Sequence, residues 1–447
     1  MSAPAVPKEL GYHLAPADAV AARSYRLNVS PYNNQTFKSG DVIKIKLPTN
    51  RCAYFDSKKS YLKFVVTCPA TGAGTNPSGA YLSPDGHIAS VINRLQSFSG
   101  GGSVLLETQE YAGSLYTLML DMQVPMEQRA TGTYAILGGT GNSEAGVSSV
   151  TIAPGASDQF SFGLISGVFG AQATKMFPVG KLQDGLELHL YLADFKHAFT
   201  ARNADGTFSA LAGDALGAIL AANITISSVE FVAEYCELNP NADAAITSIN
   251  GNRFVIPNEQ YRAVAVPIAL ASAGTTSLLV NHRFSSVKNL WVGLYSNAQM
   301  NTMAEPGSSS RQRNSLAAYQ WRIGGINVPQ KPVNVAYASA SEGFAEVERA
   351  LRGMNNILGS CSISRPRWVN QGAQSDHGAF AIATQLDVFD FTSDKPARSG
   401  VSTLDSPLYL DLTWSAGTSE ALTAVVFVHY DSSIVVDGNT GSVMELH

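Results

Sequence analysis

The chain has 447 residues and a formal net charge of -5, with 30 Lys and Arg against 35 Asp and Glu, so it lacks the positive field that draws a protein to nucleic acid. Hydrophobic residues make up 45%, enough for sizeable cores, but charged residues make up only 15%, against about 25% in ordinary soluble domains. The surface is therefore completed by Ser, Thr, Asn and Gly, or covered by neighbouring chains.

No apolar run reaches the ~20 residues of a membrane-spanning helix, and the first residues lack the charged-then-apolar order of a secretory signal. Synthesis in a cytosol is expected. Residues 1–24 are rich in Ala and Pro without alternation and read as an extended arm. From Tyr25 a period of two sets in: Ile43, Ile45 and Leu47 fall on one face and Lys44 and Lys46 on the other, and Tyr61 to Val66 continues the pattern. A strand is expected over Ile88 to Phe98. The glycines at 100–102 then turn the chain into Val104 to Leu106.

Tyr111, Leu115 and Leu118 are at helical spacing and predict a short helix after Glu107. Residues 130–159 read as a long surface loop, Phe160 to Gly167 and Met176 to Val179 as short strands, and Leu186 to Leu192 as a clean strand. An Ala- and Gly-rich insertion spans 210–222. Val229, Phe231, Ala233 and Tyr235 form the buried face of a strand that closes the first half. Asn239 to Asp243 then breaks the pattern, and Phe254 opens a second run.

The second half repeats the order of events. Tyr261 to Val266 and Ser277 to Val280 are strands, and Asn289 to Tyr295 stands where Tyr61 to Val66 stood. Tyr319 to Ile323, Gly324, Gly325 and Ile326 to Val328 repeat the strand, glycine turn and strand of the first half. A helix follows again, Ser341 to Leu358, with Phe344, Val347 and Leu351 on one face. Leu408 to Trp414 answers Leu186 to Leu192, and Val425 to Tyr430 answers Val229 to Glu234. The expected fold is all-β, two tandem eight-stranded jelly rolls over 25–240 and 241–447 with short helices in the loops.

Catalytic arrangements are not legible. No G-x-S-x-G elbow or H-E-x-x-H motif is present, and the eight histidines are scattered; His189 and His429 lie in strands and read as structural. Asp387, Asp390 and Asp394 cluster after a strand and read as a solvated turn, with a cation site or half of a carboxylate pair as the sharper alternative. Residues 138–146 lack the third glycine of a dinucleotide fingerprint and the lysine of a P-loop. Cys52, Cys68, Cys236 and Cys361 are widely separated and read as mostly free, buried thiols, with a disulfide framework as the alternative. Trp291, Trp321, Trp368 and Trp414 read as core, with sugar stacking as the alternative. Neither an enzyme nor a cofactor or metal site is expected.

Ser60 to Val66, Trp321 to Pro329 and Ser399 to Leu404 resemble segments of the double jelly-roll major capsid proteins of tailless icosahedral double-stranded DNA viruses, in particular the polinton-like virus and virophage group. The resemblance runs from about Tyr25 to Val436. It implies homotrimers of pseudo-hexagonal outline that tile a virus shell, located in the virion. Partners would be further copies, penton and minor capsid proteins and an internal membrane, without direct nucleic-acid binding. Residues 130–159 and 296–317 would be outer loops or subunit contacts, and the arm and the tail after Val436 would touch neighbouring capsomers. A secreted or surface glycan-binding or glycan-cleaving β-sandwich, using the tryptophans with Asp387 and Asp390, is the alternative.

Overall fold

A computed structural model describes residues 22–124, 150–170, 172–209, 214–351, 363, 368–369, 378–386 and 400–446. The strands of the first half are β1 (Ala22–Val29), β2 (Thr36–Phe37), β3 (Val42–Lys46), β4 (Ala53–Thr67), β5 (Tyr81–Pro84), β6 (Ile92–Ser99), β7 (Val104–Glu110), β8 (Ser157–Phe162), β9 (Glu187–Leu192), β10 (Phe199–Arg202) and β11 (Thr225–Leu238). Those of the second are β12 (Arg253–Ile268), β13 (Gly274–Val280), β14 (Val287–Ser296), β15 (Leu316–Ile323), β16 (Ile326–Asn334), β17 (Ile382–Gln385), β18 (Leu408–Trp414), β19 (Leu422–Asp437) and β20 (Val443–Leu446). Four helices matter to the packing: α1 (Ala112–Gln123), α2 (Asp214–Asn223), α3 (Pro240–Ile249) and α4 (Ser341–Ala350).

The first half folds into two facing sheets ordered β1-β11-β4-β8 and β3-β9-β6-β7, and the second into sheets ordered β12-β19-β14-β17 and β13-β18-β15-β16. Position for position these are the same two orders, and the pairings within them are antiparallel. Two jelly rolls in tandem follow directly. Each roll closes its inner surface by alternation: Leu188, Leu190 and Leu192 of β9 point inward, as do Leu408, Leu410, Leu412 and Trp414 of β18. The hairpins β6–β7 and β15–β16 turn through glycines at positive φ, Gly100 to Gly102 in one and Gly324 and Gly325 in the other, a backbone region open to glycine at no steric cost.

Several expectations are corrected. Asn239 to Asp243 does not merely break a strand; it starts α3, with the Asn239 side chain accepting from Asn241 N and Pro240 at the first helical position. The insertion at 210–222 holds α2 over its described part, 214 onward. Residues 88–91 form a 3-10 turn ahead of β6 rather than strand. Of Met176 to Val179, Phe177 alone makes a bridge, to Phe55, and Val179–Lys181 is a 3-10 turn. Within 130–159, Val150 and Ile152 are buried in the first core, and Ile152 pairs with Leu82. Residues 125–149, residues 1–21 of the arm and residues 352–358 of the helix expected over Ser341 to Leu358 lie outside the described residues. Ala22 to Ser24 already belong to β1, paired with Cys236 to Leu238.

Candidate functional site at the seam between the rolls

The cores of the two rolls are not separate. Helix α1 follows β7 of the first roll, and Ala112 and Tyr116 pack on that roll's core, while Leu115, Leu118, Met119 and Met122 belong to the core of the second. In the opposite direction, β12, β19 and β20 extend past their own roll: Phe254, Ile256, Ile434, Val436 and Val443 complete the core of the first. The tail after Val436 pairs back as β20 against β19 over its described residues.

Polar side chains fix this seam at three points. The Asp85 carboxylate, after β5, accepts from the backbone N–H of Gly307 at 3.0 Å, Ser308 at 2.6 Å and Ser309 at 3.2 Å, from the Ser308 hydroxyl at 2.8 Å, and from the Ser309 hydroxyl. Successive N–H groups converging on one carboxylate make a concave anion site of the kind built from turns. Arg311, with no exposed surface, places Nη2 2.5 Å from Asp121 Oδ2 on α1. Its side chain lies against Gly293, where an added Cβ would meet Tyr295 and Arg311 at about 3 Å. Residues 296–317 were expected to be an outer loop or a subunit contact. Instead 306–312 are buried, and Ser308, Ser309 and Arg311 bind the second roll to the first within one chain.

The third point lies between β7 and β12. Gln260 Nε2 donates to Leu106 O at 3.0 Å and to Glu445 Oε1 at 2.7 Å, the Tyr430 hydroxyl donates to Gln260 Oε1 at 2.8 Å, and Arg262 Nη1 meets Glu110 Oε1 at 3.0 Å. Glu107 is buried beside them and accepts from the Ser166 hydroxyl at 2.5 Å and Gly167 N at 3.1 Å; desolvation nevertheless raises its pKa. At the joint, Asp243 of α3 accepts from the Tyr54 hydroxyl at 2.9 Å and pairs with Lys181 at 2.5 Å.

Among the described residues, those singled out in the sequence are not gathered into one site. Trp291, Trp321, Trp368 and Trp414 are all at most 2% exposed within the second core, so none offers a face for a sugar. His429 is hydrogen-bonded to Glu259 at 3.0 Å and stacks on Tyr261, and His189 lies 3.3 Å from Glu187. Burial pushes Glu259 up, but His429 and Lys288 outweigh it and hold its carboxyl well below the usual range. Cys52, Cys68 and Cys236 are free thiols, and burial pushes Cys68 up to about 11, which leaves it protonated and unreactive. Glu346 pairs with Arg349 at 2.7 Å on α4. Asp387, Asp390, Asp394, Cys361 and residues 138–146 lie outside the described residues. Among the described residues no group of three His, Cys, Asp or Glu is placed to hold a metal, and no helix is long and apolar enough to cross a membrane.

No family model matches the chain, and no curated protein matches its sequence. Solved structures do match, over nearly the whole length of both partners. The VP54 protein of the virus PBCV-1, fitted into a reconstruction of the virophage Sputnik, is 12% identical with a TM-score of 0.60, covering 98% of this chain and 99% of that one. The Faustovirus major capsid protein is 10% identical at a TM-score of 0.55, covering 95% and 92%, and the mavirus major capsid protein 9% identical at 0.52, covering 100% and 95%. The chain is therefore a double jelly roll. Its fold is the one shared by these viral major capsid proteins.

Proposed function

We propose that the chain is a viral major capsid protein, a structural subunit without catalytic activity that assembles as pseudo-hexagonal homotrimers tiling an icosahedral shell in the virion. The observation that carries this reading is the pair of identical sheet orders, joined by one seam, over a length matched almost end to end by capsid proteins. Residues 25–240 and 241–447 are the two rolls in this reading, jointed at α3. The low charge content supports it, because sides covered by further copies need little charge. Penton and minor capsid proteins, and an internal membrane, are the further partners, and the genome is not bound directly.

The glycan reading required exposed aromatic platforms, and the four tryptophans are core residues. Light scattering coupled to size exclusion, followed by negative-stain imaging of the purified chain, tests the proposal. Three-subunit particles of hexagonal outline are expected. A stable monomer that assembles under no salt or crowding condition removes it.

A further inference from the structure

Strand β20 is four residues long and is held to β19 by the register Val436↔Val443 to Ser433↔Leu446. Met444 and Leu446 point to solvent, so the side chains that anchor it are Val443, in the first core, and Glu445, in the seam. The Glu445 carboxyl accepts from Gln260 Nε2 at 2.7 Å and from the Ser432 hydroxyl at 3.4 Å. Gln260 in turn donates to the backbone of Leu106 in the first roll. One carboxyl thus ties the short strand to both rolls.

The groups facing it decide which form of that carboxyl the seam accepts. From β7 come the buried Glu107 and, farther along, Glu110; from β12 comes Arg262, already engaged with Glu110 at 3.0 Å; from β19 comes the Tyr430 hydroxyl, turned to Gln260. A charge on Glu445 is half-removed from water and placed near a second carboxylate, while the cation in reach is shared with a third. We propose that β20 is a proton-operated latch across the seam: with the Glu445 carboxyl neutral the strand stays clipped to both rolls, and with it ionised the strand opens.

Burial, with the charge of Glu107 added to it, outweighs the Gln260 and Ser432 hydrogen bonds and the charge of Arg262 and pushes Glu445 up to about 7, against about 4.3 for a free glutamate. The closed strand therefore binds the proton more tightly than the open one. Closure is fully favoured at low pH and weakens as pH rises through the interval between those two values, the reverse of a carboxylate held by a cation. Comparing pH 5.5 with pH 8, this linkage raises the opening constant by about thirtyfold.

Hydrogen exchange of the full chain, followed on the peptide spanning 436–446, tests the latch. Wild type and Glu445→Gln are compared at the same pH, so that the intrinsic exchange chemistry cancels, and the amides of β9 report in the same spectra that the variant is folded. At pH 8 the β20 amides of Glu445→Gln are expected to be on the order of a few hundredfold better protected than wild type, and at pH 5.5 only about tenfold better, the gap closing below the free-glutamate value. Glu107→Gln, which removes the neighbouring charge and leaves the latch carboxyl, is expected to narrow the difference between the two pH values. Equal exchange of wild type and Glu445→Gln at pH 8, or an unchanged pH response in the variant, overturns the proposal.

Discussion

Arg311 and Asp121 illustrate how a residue's importance can be invisible along the chain. They are 190 positions apart, neither belongs to a motif, and the loop carrying Arg311 reads as surface. Only the folded seam removes both from water. Deleting one member of a buried pair strands the other charge, at a cost of about 3–5 kcal/mol, whereas an apolar replacement of both is often neutral or stabilising. Asp121→Ala is thus expected to lower the unfolding free energy by about that amount, and Asp121→Leu with Arg311→Met to recover most of it, read by denaturant titration. Glu259 supplies a test of sign. Its pKa is depressed by His429 and Lys288, so its contribution is present above the ordinary glutamate value and fades as pH falls below about 4. Glu259→Gln is expected to destabilise at neutral pH and to flatten the acid limb of the stability profile; an acid limb unchanged in the variant would show that other carboxylates set it.

Among the elements, α1 combines a correct expectation with a missed one. The spacing of Tyr111, Leu115 and Leu118 predicts one apolar face, and a helix stands there, but it is buried on nearly every side because it lies between two cores. Leu118→Ala, which empties space in the core of the second roll from a helix of the first, is expected to cost about 2–5 kcal/mol. A single cooperative melt shifted to lower temperature checks it; two separated transitions would mean that the rolls unfold independently. The strands were legible for a plain reason: with one face buried and one solvated, alternation writes itself into Ile43, Ile45 and Leu47 or Leu188, Leu190 and Leu192. The missed helices lack that signal. In α2 the small residues Ala215, Gly217 and Ala218 hide the period, and in α3 the Asn239-Pro240 pair, a strand breaker, doubles as a cap and first turn. β2, β5 and β10 were missed because two to four residues are too few to establish a period.

For the molecule as a whole, the question is whether two rolls encoded in tandem are two folding units. Sheet hydrogen bonds suggest so, since every named strand pairs within its own half. The side chains say otherwise. Without the second half the first loses Phe254, Ile256, Ile434, Val436 and Val443 from its core, and without the first the second loses Leu115, Leu118, Met119 and Met122. At about 1.5–3 kcal/mol for each fully buried large apolar side chain, either loss is comparable to the roughly 5–15 kcal/mol that stabilises a whole domain. The Asp85 carboxylate would also lose its donors from Gly307 to Ser309, which belong to the other half. Residues 1–240 and 241–447, each produced alone, are therefore expected to be aggregated or loosely folded, without a cooperative thermal transition. Produced together, they are expected to associate and melt as one body. A half that purifies as a monomer and unfolds sharply would show that its core closes without its neighbour, and that the seam joins two finished domains rather than completing them.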